Sequence, residues 1–171
     1  MAELIPIFSK TEIKKIISEI GLKISTDYKN KNLVLIGILK GSFIFLADLA
    51  REISLDHEMD FIAASSYEGT ATTGKVKITK DIDIDIKNKD ILIVEDIVDT
   101  GNTLSALIRH FESFEPGSIK ICSLIDKHER REVDIKVTYS GFSLEKGFIV
   151  GYGLDYNEKY RNLSAIYDLK L

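Results

Sequence analysis

Three carboxylates and a small polar turn lie close together near the middle of the chain. Glu95 and Asp96 directly follow the apolar run 91–94, and Asp99 comes shortly after them. The turn that follows Asp99 consists of Thr100, Gly101, Asn102 and Thr103. Such a turn would bring together successive backbone N–H groups, hydroxyls and the positive end of a helix, and its glycine lets the backbone approach a ligand closely. These features favour binding of a phosphate monoester.

The acid pair of Glu95 and Asp96 is unsuited to a phosphate, because like charges repel. Carboxylates can instead accept hydrogen bonds from the vicinal hydroxyls of a ribose, or hold a hydrated magnesium ion, and both interpretations stay open here. A sugar next to a phosphate indicates a phosphoribosyl group. For the acids alone, the simpler explanation is a set of exposed carboxylates at a strand end, as receiver domains have.

Apolar runs predict the elements that position these residues. The runs 33–39 and 91–94 show no polar alternation, which is typical of strands buried on both faces, and each leads through a turn into a helical pattern. Further strands are predicted over 61–64, 75–79, 119–125, 135–139 and 148–154. Strands that alternate with helices predict an α/β fold, a mostly parallel twisted sheet with helices on both faces. Ligands of such folds bind beyond the carboxyl ends of the strands.

The chain also opens with a helical pattern. Ser9 and Glu12 have the spacing of a capping box, and isoleucines recur at helical spacing over 13–20. Because glycine commonly follows the last residue of a helix, this helix is predicted to end at Gly21.

Length and composition limit the possible partners. A chain of 171 residues is predicted to form one domain, over 1–171. The net charge of −4 gives no excess of cations, so nucleic acid is not an expected partner. The longest apolar run, 33–39, is too short to cross a bilayer, and no membrane partner is expected. A single cysteine and an N-terminus without signal-peptide features predict a cytoplasmic protein.

The complete run 91–104 is similar to the phosphoribosyl-pyrophosphate (PRPP) signature of the type I phosphoribosyltransferases. This resemblance favours the phosphoribosyl site over the receiver domain. Nearly the whole chain then resembles the hypoxanthine-guanine phosphoribosyltransferases, in the same order along the sequence. The matching segments are Leu39-Lys40-Gly41, Ser65-Ser66-Tyr67, Asp126-Lys127, and Phe148 to Glu158 with Arg161.

The resemblance implies an activity, a fold and partners. The activity is transfer of the phosphoribosyl group from PRPP to N9 of hypoxanthine or guanine, which gives IMP or GMP and pyrophosphate and requires Mg2+. The fold is that of the type I phosphoribosyltransferases, with a core over about 30–145 and a small hood formed from the chain termini. The hood would take the N-terminal segment and the C-terminal segment of about 146–171. A homo-oligomer, either a dimer or a tetramer, is also implied.

The resemblance implies a role for each matching residue as well. Asp99 would lie near N7 of the purine and accept or share its proton, as a carboxylate ionised at neutral pH can do. The implied contacts of the ribose 5′-phosphate part of PRPP are Glu95, Asp96, Asp99, Thr100, Gly101, Asn102 and Thr103. Those of pyrophosphate are Lys40, Gly41, Ser66, Tyr67 and Arg161. Those of the purine are Lys127, Phe148, Ile149 and Asp155, and those of Mg2+ are Glu95, Asp96 and Asp155.

Two lysines of this set also have a simpler explanation. Lys40 lies at a strand-to-helix turn, where it could present a cation to pyrophosphate or be a solvated lysine. Lys127 can donate to a carbonyl at O6 of a purine but cannot accept from the amino group of adenine, which predicts selectivity for 6-oxopurines. Without the resemblance it would be one more cation of the run 127–131. The small-residue stretch 65–74 is predicted to be a mobile loop that closes over the site.

A regulator is the main alternative to an enzyme. It would keep the fold and the PRPP-binding run but would have lost recognition of the base. Lys127, Phe148 and Asp155 together oppose this alternative, because a regulator has no need of a purine pocket. Formation of a nucleotide from a purine base and PRPP distinguishes the two.

Overall fold

The computed structural model describes residues 3–66 and 76–170, and the side chain of Ser66 is not part of that description. Tyr67 and most of the predicted closing loop 65–74 lie outside the described residues. The elements within them are β1 (Glu3–Phe8), α1 (Lys10–Asp27), β2 (Leu33–Leu39), α2 (Phe43–Glu52), β3 (Glu58–Ser66), β4 (Val76–Lys80), β5 (Asp90–Val98), α3 (Asn102–Glu112), β6 (Ser118–Lys127), β7 (Tyr139–Leu144), β8 (Ile149–Val150) and β9 (Ile166–Lys170).

A six-stranded sheet has the order β4-β3-β2-β5-β6-β7. Strands β3, β2, β5, β6 and β7 are parallel to their neighbours, and β4 pairs with β3 in the antiparallel direction. The chain order reverses between β2 and β5, and at such a switch point the carboxyl ends of the strands leave a crevice for a ligand. The turns after β2 and β5, which carry Lys40 and Asp99, therefore meet at this crevice.

Helices cover both faces of this sheet, which confirms the predicted α/β class. On one face, α1 and α2 pack against β2, β5 and β6 through Ile13, Ile17, Phe45, Leu49, Leu35, Leu92 and Leu124. On the other face, α3 packs through Leu104, Leu107, Phe111, Ile36, Ile93 and Ile121. None of the helices in the described ranges combines the length and apolar character that a bilayer crossing requires.

The first helix begins as predicted and ends later than predicted. Ser9 and Glu12 form the capping box: the Glu12 amide donates to Ser9 Oγ at 3.2 Å, and the Ser9 amide donates to Glu12 Oε2 at 2.8 Å. The prediction of an end at Gly21 is wrong, because α1 continues to Asp27. A Cβ at Gly21 would lie 2.6 Å from Cβ of Glu52. Gly21 is therefore needed for close packing of α1 on α2, and it does not end the helix.

A second sheet of three strands has the order β1-β9-β8 and is antiparallel. It joins the two ends of the chain, and Ile149 and Ile166 pack into the same apolar cluster as α1. The predicted strand 148–154 is mostly wrong, because only the two residues of β8 pair as a strand. Gly151 and Gly153 have φ of 100° and 101°, so the backbone leaves the extended conformation there.

The strand predicted over 135–139 is also wrong for most of its length, since β7 begins at Tyr139. The preceding residues form a long connection from β6. The amides of Glu132 and Val133 both donate to the carbonyl of Thr100, at 2.9 and 3.1 Å. This connection therefore bonds to the turn before α3 and does not extend the sheet.

Candidate active site

The acid pair lies inside β5, because the strand extends past it to Val98. Asp96 is buried and Glu95 is partly buried. Burial raises the pKa of the Glu95 carboxyl well above its usual range, and the neighbouring Asp96 carboxylate raises it further. A second negative charge is costly at this position, so the pair favours a proton, hydroxyl donors or a cation as its partner.

The turn after β5 has the geometry of an anion site. Gly101 has φ of 87° and precedes the first residue of α3 without a side-chain acceptor that would cap the helix. The amide of Ser105 donates to the Gly101 carbonyl at 2.9 Å, and the Asn102 amide lies 3.3 Å from Oγ1 of Thr100. The N–H groups at the start of a helix have no helical acceptors, and they bind anions where no side chain caps them.

Asp99 lies at the start of this turn, between two environments. Its Oδ2 accepts a hydrogen bond from Nε of Arg130 at 3.0 Å, and it also accepts one from Nη2 of the same guanidinium. Its Oδ1 is buried and has no hydrogen-bond partner among the described residues. A buried carboxylate oxygen without a donor is costly, so Oδ1 is an acceptor available to a ligand.

Arg131 holds this turn to the end of β6. Its Nε donates to the Asp99 carbonyl at 2.8 Å, and its Nη2 donates to the carbonyls of Val98 at 3.1 Å and Lys127 at 3.0 Å. Its Nη2 also pairs with the Asp126 carboxylate, and its side chain is only 17% exposed. Arg131 thus fixes the carboxyl ends of β5 and β6 relative to each other.

The sequence did not point to Arg130 or Arg131. Both belong to the charged run 127–131, which by itself is typical of a solvated surface. The spacing of β5 and β6 as parallel neighbours would have placed this run next to Asp99, and that is the signal that could have found them.

The Lys40–Gly41 turn touches both the acid pair and the C-terminal segment. The peptide bond between Leu39 and Lys40 is cis. A Cβ at Gly41 would overlap Oδ2 of Asp96, and a Cβ at Gly153 would overlap the Gly41 carbonyl oxygen. Only glycines allow this close approach, which brings three separate segments of the chain to one place.

The predicted pyrophosphate cations meet at this point. Nζ of Lys40 lies 3.1 Å from Oε2 of Glu158, and Nη2 of Arg161 lies 3.3 Å from the same oxygen. Nη2 of Arg161 also lies 2.9 Å from Oδ1 of Asp155, and its Nη1 donates to the Gly153 carbonyl at 2.7 Å. The structure therefore brings Lys40, Gly41 and Arg161 together, whereas Ser66 as a side chain and Tyr67 lie outside the described residues.

The residues predicted to bind the purine differ in burial. Lys127 is only 7% exposed, which excludes the solvated surface lysine, and its Nζ lies 3.4 Å from Oε2 of Glu129. Ile149 is buried in the apolar cluster shared with α1. Phe148 is 49% exposed, and its ring is nearly perpendicular to that of Tyr156, at a centroid distance of 5.5 Å. A large aromatic ring left this exposed is available for stacking.

A cavity of about 260 Å³ is lined both by the acid pair and by the turn before α3. It is lined by Ile38, Leu39, Gly41, Ala64, Glu95, Asp96, Ile97, Val98, Asp99, Thr100, Gly101, Thr103 and Leu104. A larger cavity, of about 470 Å³, lies between α1, α2 and residues 162–164, and its lining includes no predicted site residue. Size alone would select the larger cavity, but the smaller one brings together the carboxylates and the turn at the carboxyl end of β5, where ligands of such folds bind.

The acids suggested for Mg2+ do not form a closed metal site. No group of three or more His, Cys, Asp or Glu side chains that could hold a metal occurs within 3–66 and 76–170. Asp155 is instead paired with Arg161. The adjacent oxygens of Glu95 and Asp96 still suit a magnesium ion, because Mg2+ commonly uses one or two carboxylates and completes its shell with water and substrate phosphates.

Three comparisons with known proteins agree with one another. Residues 7–157 match the family model described as the phosphoribosyl transferase domain. The chain is 52% identical over 160 residues to a hypoxanthine phosphoribosyltransferase of Salmonella typhimurium, covering 92% of the chain and 90% of that protein. It is 46% identical to a hypoxanthine-guanine phosphoribosyltransferase of Staphylococcus epidermidis, covering 96% and 92%. A crystal structure of a hypoxanthine-guanine phosphoribosyltransferase from Bacillus anthracis matches with a TM-score of 0.94 and 45% identity, covering 100% of both chains.

Proposed function

Because the chain belongs to the phosphoribosyl transferase family, we propose that it transfers the 5-phosphoribosyl group of PRPP to N9 of hypoxanthine or guanine, giving IMP or GMP and pyrophosphate. The resemblance found in the sequence is confirmed, and the chain is a phosphoribosyltransferase of the purine salvage type. The observation that carries the proposed site is the cavity shared by the acid pair and the turn before α3.

The phosphoribosyl group would bind along this cavity. Its 5′-phosphate accepts hydrogen bonds from the backbone amides of 100–103, with the hydroxyls of Thr100 and Thr103 as further donors. Its vicinal hydroxyls donate to Glu95 and Asp96. The burial that raises the pKa of Glu95 favours this arrangement, since a hydroxyl donor lowers the cost of a charged carboxylate that is poorly hydrated.

Asp99 is the proposed base. Breaking the bond from C1 to pyrophosphate gives the ribose oxocarbenium character, so the protein mainly positions the reactants and stabilises charge. The unpartnered Oδ1 of Asp99 can accept or share the proton on N7 as N9 attacks C1. Arg130, on Oδ2, keeps the carboxylate oriented toward the ligand.

Lys127, Phe148 and Ile149 are proposed to recognise the purine. The buried Nζ of Lys127 donates to O6, which a 6-oxopurine offers and adenine does not. The exposed ring of Phe148 stacks on the base, and the backbone of Ile149 and of Asp155 meets its edge.

The pyrophosphate is proposed to bind at the turn after β2. Lys40 and Arg161 supply two cations and the backbone at Gly41 supplies donors, with Ser66 and Tyr67 as further predicted contacts. A magnesium ion on Glu95 and Asp96, with Asp155 as a further predicted ligand, would neutralise charge that develops on the leaving group. The residues 65–74 would exclude water from the reactive ribose.

Turnover with a panel of bases tests this function directly. We expect the protein, with Mg2+ and PRPP, to form nucleotide from hypoxanthine and guanine and to leave adenine and orotate unused. The product is measured by chromatography, with xanthine included in the panel. If none of the purines gives a product, the proposed reaction is wrong and the regulator becomes the better interpretation.

Two further features stay predictions. We propose that the sheet β1-β9-β8 is the hood over the site. Phe148 directly precedes β8, and Arg161 lies in the connection from β8 to β9. We also propose a homo-oligomer, either a dimer or a tetramer, which analytical ultracentrifugation would resolve.

A further inference from the structure

Glu158 places one carboxylate oxygen between the two cations proposed for pyrophosphate. Its Oε2 lies 3.1 Å from Nζ of Lys40 and 3.3 Å from Nη2 of Arg161. A glutamate carboxyl is ionised at neutral pH, so Lys40 and Arg161 both donate to a charged oxygen. A single anionic oxygen thus already occupies the point at which both cations converge.

The backbone around Glu158 is fixed, whereas its carboxylate can move. The Glu158 amide donates to Oδ2 of Asp155 at 2.9 Å, and Arg161 is bonded to Asp155 and to the Gly153 carbonyl. The side chains of Lys40 and Glu158 are 67% and 64% exposed. Exposed ion pairs contribute little net stability, so a more highly charged anion can replace this carboxylate at small cost.

Arg161 has capacity for another acceptor. Its Nε is buried and has no hydrogen-bond partner in the described part of the chain. A buried guanidinium N–H that lacks an acceptor is costly, so an anion that reaches Nε as well as Nη2 would be bound more strongly than the Glu158 oxygen alone.

We propose that Glu158 acts as the internal counter-ion of the pyrophosphate site, which pyrophosphate must displace. This proposal rests on the proposed function and assigns a role to a residue outside the predicted set. In the free protein, Oε2 of Glu158 pairs with both Lys40 and Arg161, so it occupies the cations that pyrophosphate needs. A pyrophosphate oxygen then displaces it, and the returning carboxylate helps pyrophosphate to leave.

The Glu158→Gln variant tests this proposal. The amide keeps the size of the side chain but removes the charge that competes with pyrophosphate. We expect the Kd of magnesium pyrophosphate, measured by isothermal titration calorimetry, to fall about 3- to 10-fold. We also expect the KM of PRPP to fall by a similar factor, while the KM of hypoxanthine stays unchanged. A loss of structure alone would weaken all substrates together.

Two further variants serve as comparisons. Glu115→Gln also removes an exposed carboxylate paired with a lysine, since Glu115 Oε2 lies 2.6 Å from Nζ of Lys87 outside the site, and it should leave pyrophosphate binding unchanged. Glu158→Asp keeps the charge on a shorter side chain and should give an intermediate Kd.

The possible results distinguish the role of Glu158 from the proposed function. Equal or weaker pyrophosphate binding by a folded Glu158→Gln protein, with normal binding and turnover in the wild type, would overturn the role of Glu158 alone. A wild-type protein that neither binds pyrophosphate nor forms nucleotide would overturn the proposed function and this role with it.

Discussion

The turn before α3 and the cation pair at the Lys40 turn are both proposed to bind phosphate groups, but different interactions hold them. The turn offers backbone amides and is tied to β6 by Arg131, whose side chain is largely buried and donates to three backbone carbonyls. The cation pair consists of charged side chains whose partner, Glu158, is exposed to solvent.

This difference fits the proposed roles of the two sites, since one phosphate group stays bound to the sugar and the other must leave. Amide dipoles fixed by the fold need no reorganisation when an anion binds, so the turn suits the phosphate that stays attached to the sugar in substrate and product. The exposed pair of Lys40 and Glu158 can exchange partners at little cost, which suits the proposed pyrophosphate that must leave, while Arg161 is held by Asp155 and the Gly153 carbonyl. In the proposed binding mode, the retained phosphate therefore lies on the turn before α3, and the leaving pyrophosphate lies on the pair of Lys40 and Arg161.

The largest effect is expected from Asp99→Asn, at the start of the turn before α3. An amide cannot accept the N7 proton as the carboxylate does, so we expect kcat to fall by about 100-fold or more. The KM of PRPP should change much less, because the amides of the turn remain. Steady-state kinetics measures both, and Asp56→Asn, at an exposed aspartate, is the control. Unchanged kcat would remove Asp99 from the mechanism.

Arg131→Lys would loosen the turn before α3 without changing the charge at position 131. Lysine lacks the planar fork that reaches the carbonyls of Val98, Asp99 and Lys127, so we expect the free energy of unfolding to fall by about 2 kcal/mol. We expect kcat/KM to fall about 10-fold for every base. Urea unfolding and initial rates provide the measurements.

Arg109→Lys is the control for that substitution, since Arg109 is exposed and donates to Oγ of Ser105 on the same helix. If Arg131→Lys keeps wild-type rates, the turn before α3 does not depend on this arginine for its geometry. The turn would then be less rigid, relative to the cation pair, than we propose.

Lys127→Ala tests whether the rigid end also selects the base. Without the donor to O6, we expect the preference for hypoxanthine over adenine, as a ratio of kcat/KM values, to fall about 10-fold, or about 1.4 kcal/mol. Lys136→Ala, at an exposed lysine of the connection that follows β6, should leave the ratio unchanged. An unchanged ratio for Lys127→Ala would mean that O6 is recognised elsewhere.

The smallest effect is expected from Glu95→Gln, and it concerns stability. The pKa of Glu95 is raised in the folded protein, so its protonated form stabilises the fold below its unfolded pKa. That contribution is lost as the pH rises through the folded pKa. Glutamine resembles the protonated form at every pH. We therefore expect the metal-free variant to be about 1 kcal/mol more stable than the wild type at pH 7, and equally stable near pH 4.

Urea unfolding at both pH values measures this difference, and Glu19→Gln, at an exposed glutamate, should show none. Parallel stability curves for Glu95→Gln and the wild type would mean that the acid pair carries its charges without cost. The expected gain in stability at pH 7 would identify Glu95 as a residue that lowers stability but is needed for ligand binding.

The core of the sheet could be predicted from the sequence because buried parallel strands consist of uninterrupted apolar runs. The run 33–39 became β2 without change, and the run 91–94 became the middle of β5. Local patterns failed where tertiary contacts decided the backbone. Gly21 is required by its contact with Glu52, and residues 135–138 follow a connection that bonds to Thr100.

The site shows the same limit. Residues 95–103 are contiguous, so their chemistry and spacing were visible in the sequence. Arg130 and Arg131 reach Asp99, and Glu158 reaches Lys40, across long stretches of chain. Each looks like an ordinary surface charge until the fold brings these segments together. Burial of Lys127 likewise depends on packing and not on its neighbours in the sequence.

The most direct test of the proposed site is a crystal structure of the protein with IMP and Mg2+. We predict that the 5′-phosphate accepts hydrogen bonds from the amides of 100–103 and that the ribose hydroxyls lie against Glu95 and Asp96. A phosphate bound elsewhere, for example in the larger cavity between α1 and α2, with the turn before α3 unliganded, would contradict the proposed site.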